Sequence, residues 1–128
     1  MKPVSQDDKD GQRGELFTCA VRRLPAGITI VRATGDLSDH MSSQMHQLVA
    51  DELARKPAQL VLELSDATSV DDAAVEALTS AAAFAGESDI SFCLVAPPTS
   101  PAIRALAAAD LIERFEIFAT VCEAINNR

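Results

Sequence analysis

The sequence predicts an α/β domain, with a mixed central sheet of about four to five strands and about four helices. Three observations carry that expectation. Short apolar runs such as Leu60-Val61-Leu62-Glu63-Leu64 and Ile90-Ser91-Phe92-Cys93-Leu94-Val95 have the length and character of covered strands. Between the strand-like runs, apolar residues recur at helical spacing, most clearly Met41, Met45, Leu48, Val49 and Leu53. Breakers fall between the two kinds of segment, at Pro57, Gly86, Pro97-Pro98 and Ser100-Pro101.

Residues 1–14, MKPVSQDDKDGQRG, are polar and read as a flexible tail, so the domain is expected to span 15–128. Leu16 to Arg23 and Ile28 to Thr34 read as two strands of a hairpin. Their turn is Leu24-Pro25-Ala26-Gly27, where Pro presets φ and Gly accepts a positive one. Gly35-Asp36-Leu37-Ser38 ends the second strand, and Asp36 or Ser38 can cap the helix expected from about Ser38 to Arg55. Met41 and Met45 read as core rather than as an adaptable binding face. His40 and His46 have no ligand-spaced partner and read as surface residues.

After the strand at Leu60 to Leu64, the stretch Ser65 to Val70 reads as a junction into a second helix. Val75, Leu78, Ala82 and Ala85 form its apolar stripe and Gly86 its stop. The next strand is Ile90 to Val95. Ser100-Pro101 starts a third helix, with a capping hydroxyl followed by Pro at the first helical position. Phe115 to Phe118 can form a last strand, and Thr120 caps a final helix through Ile125. Strands separated by helices are expected to be parallel.

Composition excludes several functions. Of 128 residues 48% are hydrophobic, enough for a domain that buries roughly two-thirds of its unfolded surface. There are 11 basic and 19 acidic residues, five Phe and no Trp or Tyr. A net charge of -8 repels phosphate backbones, and stacking aromatics are scarce, so nucleic-acid binding is not expected. No run approaches the length of a membrane span, and the opening residues have no apolar core of a signal peptide. Cys19, Cys93 and Cys122 lack metal-ligand spacing and fit reduced thiols in a cytoplasmic protein.

Charge is also unevenly placed. From Pro57 to Ile103 there is no Lys or Arg, while Glu63, Asp66, Asp71, Asp72, Glu76, Glu87 and Asp89 lie in that stretch. Two readings stand side by side: a solvated acidic surface, or a surface suited to a basic partner.

The densest chemistry is at Val70-Asp71-Asp72-Ala73-Ala74-Val75, where a strand end meets a helix start. Ligands and partners of open α/β sheets bind at such ends. Helix capping accounts for part of the pattern, since Ser69-x-x-Asp72 matches a capping box. A phospho-aspartate site of the receiver type would need a Lys on a later strand, and the strand Ile90 to Val95 carries none. There is no G-x-S-x-G elbow, no phosphate-binding glycine loop, and Cys93 lies within an apolar strand. No catalytic set, metal site or cofactor is expected.

Over about Phe17 to Ile125 the chain resembles the STAS domain, the fold of bacterial anti-sigma factor antagonists. Val61-Leu62-Glu63-Leu64-Ser65, the junction Val70 to Val75 and Thr120-Val121-Cys122-Glu123-Ala124-Ile125 carry the resemblance, with Gly35-Asp36-Leu37 after the hairpin and Leu111 to Phe118. The family's junction usually reads Asp-Ser-Ser-Gly. Its first Ser is phosphorylated by an anti-sigma factor that is itself a serine kinase. The unphosphorylated antagonist binds that kinase and frees the sigma factor, and phosphate releases the antagonist.

By this resemblance Asp71 matches the family's Asp, Asp72 the phosphorylated Ser, Ala73 the second Ser and Ala74 the Gly. Asp72 thus stands as a fixed carboxylate where a phosphoserine would form, carrying less charge and fewer acceptor oxygens than phosphate. Smaller departures are Ser38, where an acid is common, and Asp110, where Gly often precedes Leu111. The resemblance implies a non-enzymatic monomer or weak dimer that binds an anti-sigma factor or related kinase-fold protein. Asp36, Asp71, Asp72, Ala73, Ala74, Val75 and Glu76 are the expected contact residues. Alternatives are a STAS subunit on the ATPase of a lipid-transport complex, or a ligand or redox sensor using the cysteines.

Overall fold

A computed structural model describes residues 18–37 and 40–126. The expected hairpin is formed by β1 (Thr18–Leu24) and β2 (Ile28–Leu37), which pair antiparallel from Leu24 opposite Ile28 to Thr18 opposite Thr34. Its turn, Pro25–Gly27, holds Ala26 and Gly27 at φ of 69° and 77°. The Gly27 carbonyl accepts the Ala58 N–H at 2.8 Å. A Cβ on Gly27 would lie only 3.3 Å from the Ala58 side chain and nitrogen, so the close approach as well as the backbone selects glycine.

The strands that follow are β3 (Gln59–Glu63), β4 (Ala67–Val70), β5 (Ser91–Val95) and β6 (Glu116–Phe118). The sheet order is β1-β2-β3-β5-β6, and every pair after the hairpin is parallel, as expected for strands joined through helices. The junction expected at Ser65 to Val70 contains β4. In the fold it takes up the end of β2, which runs on to Leu37 after β3 has ended. The register shifts between Gly35 and Asp36, placing Asp36 opposite Ser69 and Leu37 opposite Val70.

Three helices, α1 (His40–Ala54), α2 (Asp72–Glu87) and α3 (Pro101–Ala108), cover one face of the sheet. Their buried side chains (Met45, Val49, Leu53, Val75, Leu78, Leu106) meet Val31, Leu60, Leu62 and Leu94 in the larger core. The short α4 (Val121–Asn126) covers the other face, where Ala124, Val121 and Ile125 pack on Ile30, Val61, Cys93 and Val95. Gln59 ties α4 down by donating to the Ala124 carbonyl at 3.2 Å. Cys93, Leu94 and Val95 are buried as expected, while Ser91 at the start of the strand is exposed and Phe92 half-buried. Among the described residues no helix is long and apolar enough to cross a membrane.

Two helix ends depart from the sequence reading. Gly86 does not stop α2, which continues to Glu87. The left-handed residue is Asp89 (φ 60°), with Ile90 N–H bonded to Ala85 O and Asp89 N–H to Gly86 O, a Schellman arrangement. Asp110 (φ 62°) closes α3 in the same way, with Leu111 bonded to Leu106 and Asp110 to Ala107. The family's frequent Gly before Leu111 therefore falls at a left-handed position, which Asp takes here. At their starts, Ser100 caps α3 through Ile103 N–H at 3.3 Å, and Thr120 caps α4 through Glu123 N–H at 3.1 Å, both as expected.

Candidate functional site

The site is assembled where β2 and β4 end together and α2 begins. Asp71 is the N-cap residue of α2: its backbone is extended and its Oδ1 accepts the Ala74 N–H at 2.9 Å. Its own N–H donates to Leu37 O at 3.3 Å, so the cap is also anchored to the end of β2. The expected capping box with Ser69 does not form. Ser69 lies within β4, and its hydroxyl donates instead to Oδ1 of Asp36 across the strand pair. Asp36 sits in β2, while Ser38, the other cap candidate, lies outside the described residues.

Asp72 and Ala73 follow the cap in the first turn of α2, and both are exposed. Ala74 and Val75 turn inward and are buried, and Glu76 returns to the surface. The expected site residues thus divide by role. Asp71, Ala74 and Val75 hold the junction in place, whereas Asp72, Ala73 and Glu76 are exposed at the start of α2. Asp36 lies half-buried beneath the junction. At Asp72 the helix N-terminus favours a negative charge.

The acidic stretch is not uniformly free. Arg32, on β2, pairs with Asp66 and lies 4.0 Å from Glu63, which offsets two of its carboxylates. Glu52 of α1 is buried, and its two oxygens accept Arg23 Nε at 3.1 Å and Arg23 Nη2 at 2.6 Å. Acidic charge is left at the surface by Asp72 and Glu76 near the start of α2 and by Glu87 at its end. Among the described residues no three His, Cys, Asp or Glu side chains gather as a metal site.

Sequence reasoning missed two features. The Ser69–Asp36 bond spans 33 residues and leaves no local pattern. A groove between α1 and α2, lined by His46, Ala50, Ser80, Ala81 and Phe84, was also not anticipated. Helical spacing offered one signal for it, because Phe84 lies off the apolar stripe of α2 and so faces out.

Residues 21–124 match the family model of the STAS domain, and the chain belongs to that family. No curated protein matches by sequence. Among solved structures, an anti-sigma factor antagonist from Mycobacterium paratuberculosis superposes with a TM-score of 0.79 at 20% identity, covering 90% of this chain and 96% of that one. The anti-sigma factor antagonist SpoIIAA in its unphosphorylated form gives 0.71 at 15% identity, over 86% and 95% of the two chains. The phosphorylated form of SpoIIAA, a Bacillus cell fate determinant, gives 0.67 at 14% identity, over 86% and 98%. At these identities the likeness is one of fold.

Proposed function

We propose that this protein is an anti-sigma factor antagonist whose docking face is the start of α2, and that it binds an anti-sigma factor or a related kinase-fold protein. The observation that carries the reading is the position of Asp72. It is an exposed carboxylate in the first turn of α2, one residue after the capping Asp71, where the family presents its phosphorylated Ser. Ala73 adds no hydroxyl, so serine phosphorylation at the family position has no acceptor in this chain. The protein regulates sigma-factor-dependent transcription through an interaction of fixed strength. Asp72 is a partial phosphate mimic: it repels phosphates of a nucleotide held by the partner and attracts a Lys or Arg placed there.

Calorimetric titration of the full chain against candidate anti-sigma kinases tests the reading, with Glu76→Arg as the variant that reverses charge on the proposed face. Binding weakened by Glu76→Arg supports it. Absence of binding to every candidate shifts the reading to a STAS subunit of a lipid-transport ATPase.

A further inference from the structure

Phe84 is the one large hydrophobic side chain exposed among the described residues, at 44% of its full area. It walls a depression between α1 and α2 whose floor is Ala50, Leu53 and Ala81. A second depression, reaching to Ala73, Glu76 and Ala77, shares His46 and Ser80 with the first. The two form one open groove running along α2 from Ala73 to Phe84, about 16 Å or three helical turns.

The charge around this groove has a single sign. Neither α1 nor α2 contains a Lys or Arg. Asp72 and Glu76 flank one end and Glu87 follows Phe84 at the other, while Gln47, on the groove wall, donates to Asp51 Oδ1 at 2.9 Å. The cations that follow α1, Arg55 and Lys56, line a different depression beside Arg23.

We infer that this groove is a docking site for an amphipathic helix of a partner protein, with an apolar stripe that covers Phe84 and Ala81 and Lys or Arg residues flanking it. The length fits apolar anchors at i, i+3 or i+4, and i+7. Charge complementarity selects this occupant over a second copy, because a two-fold pairing through the groove would set Asp51, Glu76 and Glu87 against an equally acidic face. The chain's own first 14 residues offer Val4 as their only branched aliphatic side chain and place Asp7, Asp8 and Asp10 beside their cations. The groove shares Ala73 and Glu76 with the face around Asp72, but its Phe84 end lies about two helical turns beyond that face, so a readout at Phe84 separates this inference from the anti-sigma reading.

The test titrates the full isotope-labelled chain with an amphipathic Leu/Lys peptide of about four helical turns, and with a scrambled peptide of the same composition. The expected result is shifts concentrated at His46, Ala50, Ala81 and Phe84, with the scrambled peptide bound about tenfold more weakly. Phe84→Ser should weaken the amphipathic peptide by about tenfold, and because Phe84 is exposed, its melting curve should stay close to that of the natural chain. Equal binding of the two peptides would reduce the effect to bulk charge and overturn the inference. So would a dimer in sedimentation that Phe84→Ser dissociates, which would make the occupant a second copy. A Val4→Ser change that shifts the groove signals of the free chain would place the chain's own tail there, with the same consequence.

Discussion

Ser69 donates its hydroxyl hydrogen to Oδ1 of Asp36, joining two strand ends 33 residues apart directly beneath the start of α2. Asp36 faces Ser69 only because β2 shifts register at Gly35, whose N–H donates to Asp66 O at 3.1 Å. The bond thus fixes where β4 ends, and so where Asp71 and Asp72 are presented.

Ser69→Ala should cost about 1 kcal/mol in urea unfolding, as expected when a partly buried carboxylate loses a donor. Amide exchange should quicken at Val70 and Asp71 while the β3 and β5 amides keep their protection. Asp36→Asn should be milder, because the amide oxygen can still accept. If exchange rises uniformly over the sheet, the bond supports the whole fold rather than the junction.

The two adjacent aspartates should separate cleanly. Asp71→Ala removes the cap on Ala74 N–H and should lower stability by about 1 kcal/mol. Asp72→Ala loses only the favourable charge at the helix end, a few tenths of a kcal/mol. Its effect should appear in partner affinity instead. Equal losses of stability would contradict this division of roles.

Helix ends offer stabilising changes. Gly86 is inside α2, and a Cβ added there meets nothing within 4 Å. Gly86→Ala should therefore raise stability by about 0.5–1 kcal/mol. Asp110→Gly should relieve a left-handed backbone and add about 0.5 kcal/mol. Thermal melting decides both, and a loss at Gly86→Ala would mean that α2 ends earlier than described.

Alkaline pH should weaken the fold through two thiols. Burial pushes Cys19 and Cys93 up from 9.0 to about 11. An unfolded chain releases those protons near the lower value, so between the two the folded state binds more protons. Stability is then fully present below pH 9.0 and falls as pH rises towards about 11. Cys93, which is fully buried, should account for about 1–3 kcal/mol of that decline. Urea midpoints across the window should fall less steeply for Cys93→Ala. Alkylation at neutral pH should reach the exposed Cys122 first and Cys93 last.

Much of this fold was legible in the sequence because its signals are local. The hairpin turn, the helical spacing from Met45 to Leu53, and the starts at Ser100 and Thr120 all depend on neighbours within a few residues. β4 escaped notice because four residues, Ala67–Val70, are too few for a period and become a strand only beside the end of β2. The same competition misplaced the cap. Ser69 has the right spacing for a capping box, but a strand partner claimed its backbone and Asp36 its hydroxyl. Gly86 misled because left-handed positions went to Asp89 and Asp110, so glycine content did not mark the helix ends. At the site itself, the sequence placed Asp71 and Asp72 at the helix start, and the groove beside Phe84 emerged only from packing α1 on α2.

In the proposed function Asp72 stands at the switch position and leaves the interaction unswitchable. The most direct test measures affinity for a cognate anti-sigma kinase in ATP and in ADP, for the natural chain and for Asp72→Ser. The natural chain should take up no phosphate, and its affinity should not fall with time of incubation in ATP. The Asp72→Ser variant should bind in ADP, acquire phosphate at position 72 in ATP, and then dissociate. Phosphorylation of the natural chain by that kinase, or an Asp72→Ser variant that never responds to ATP, would contradict it.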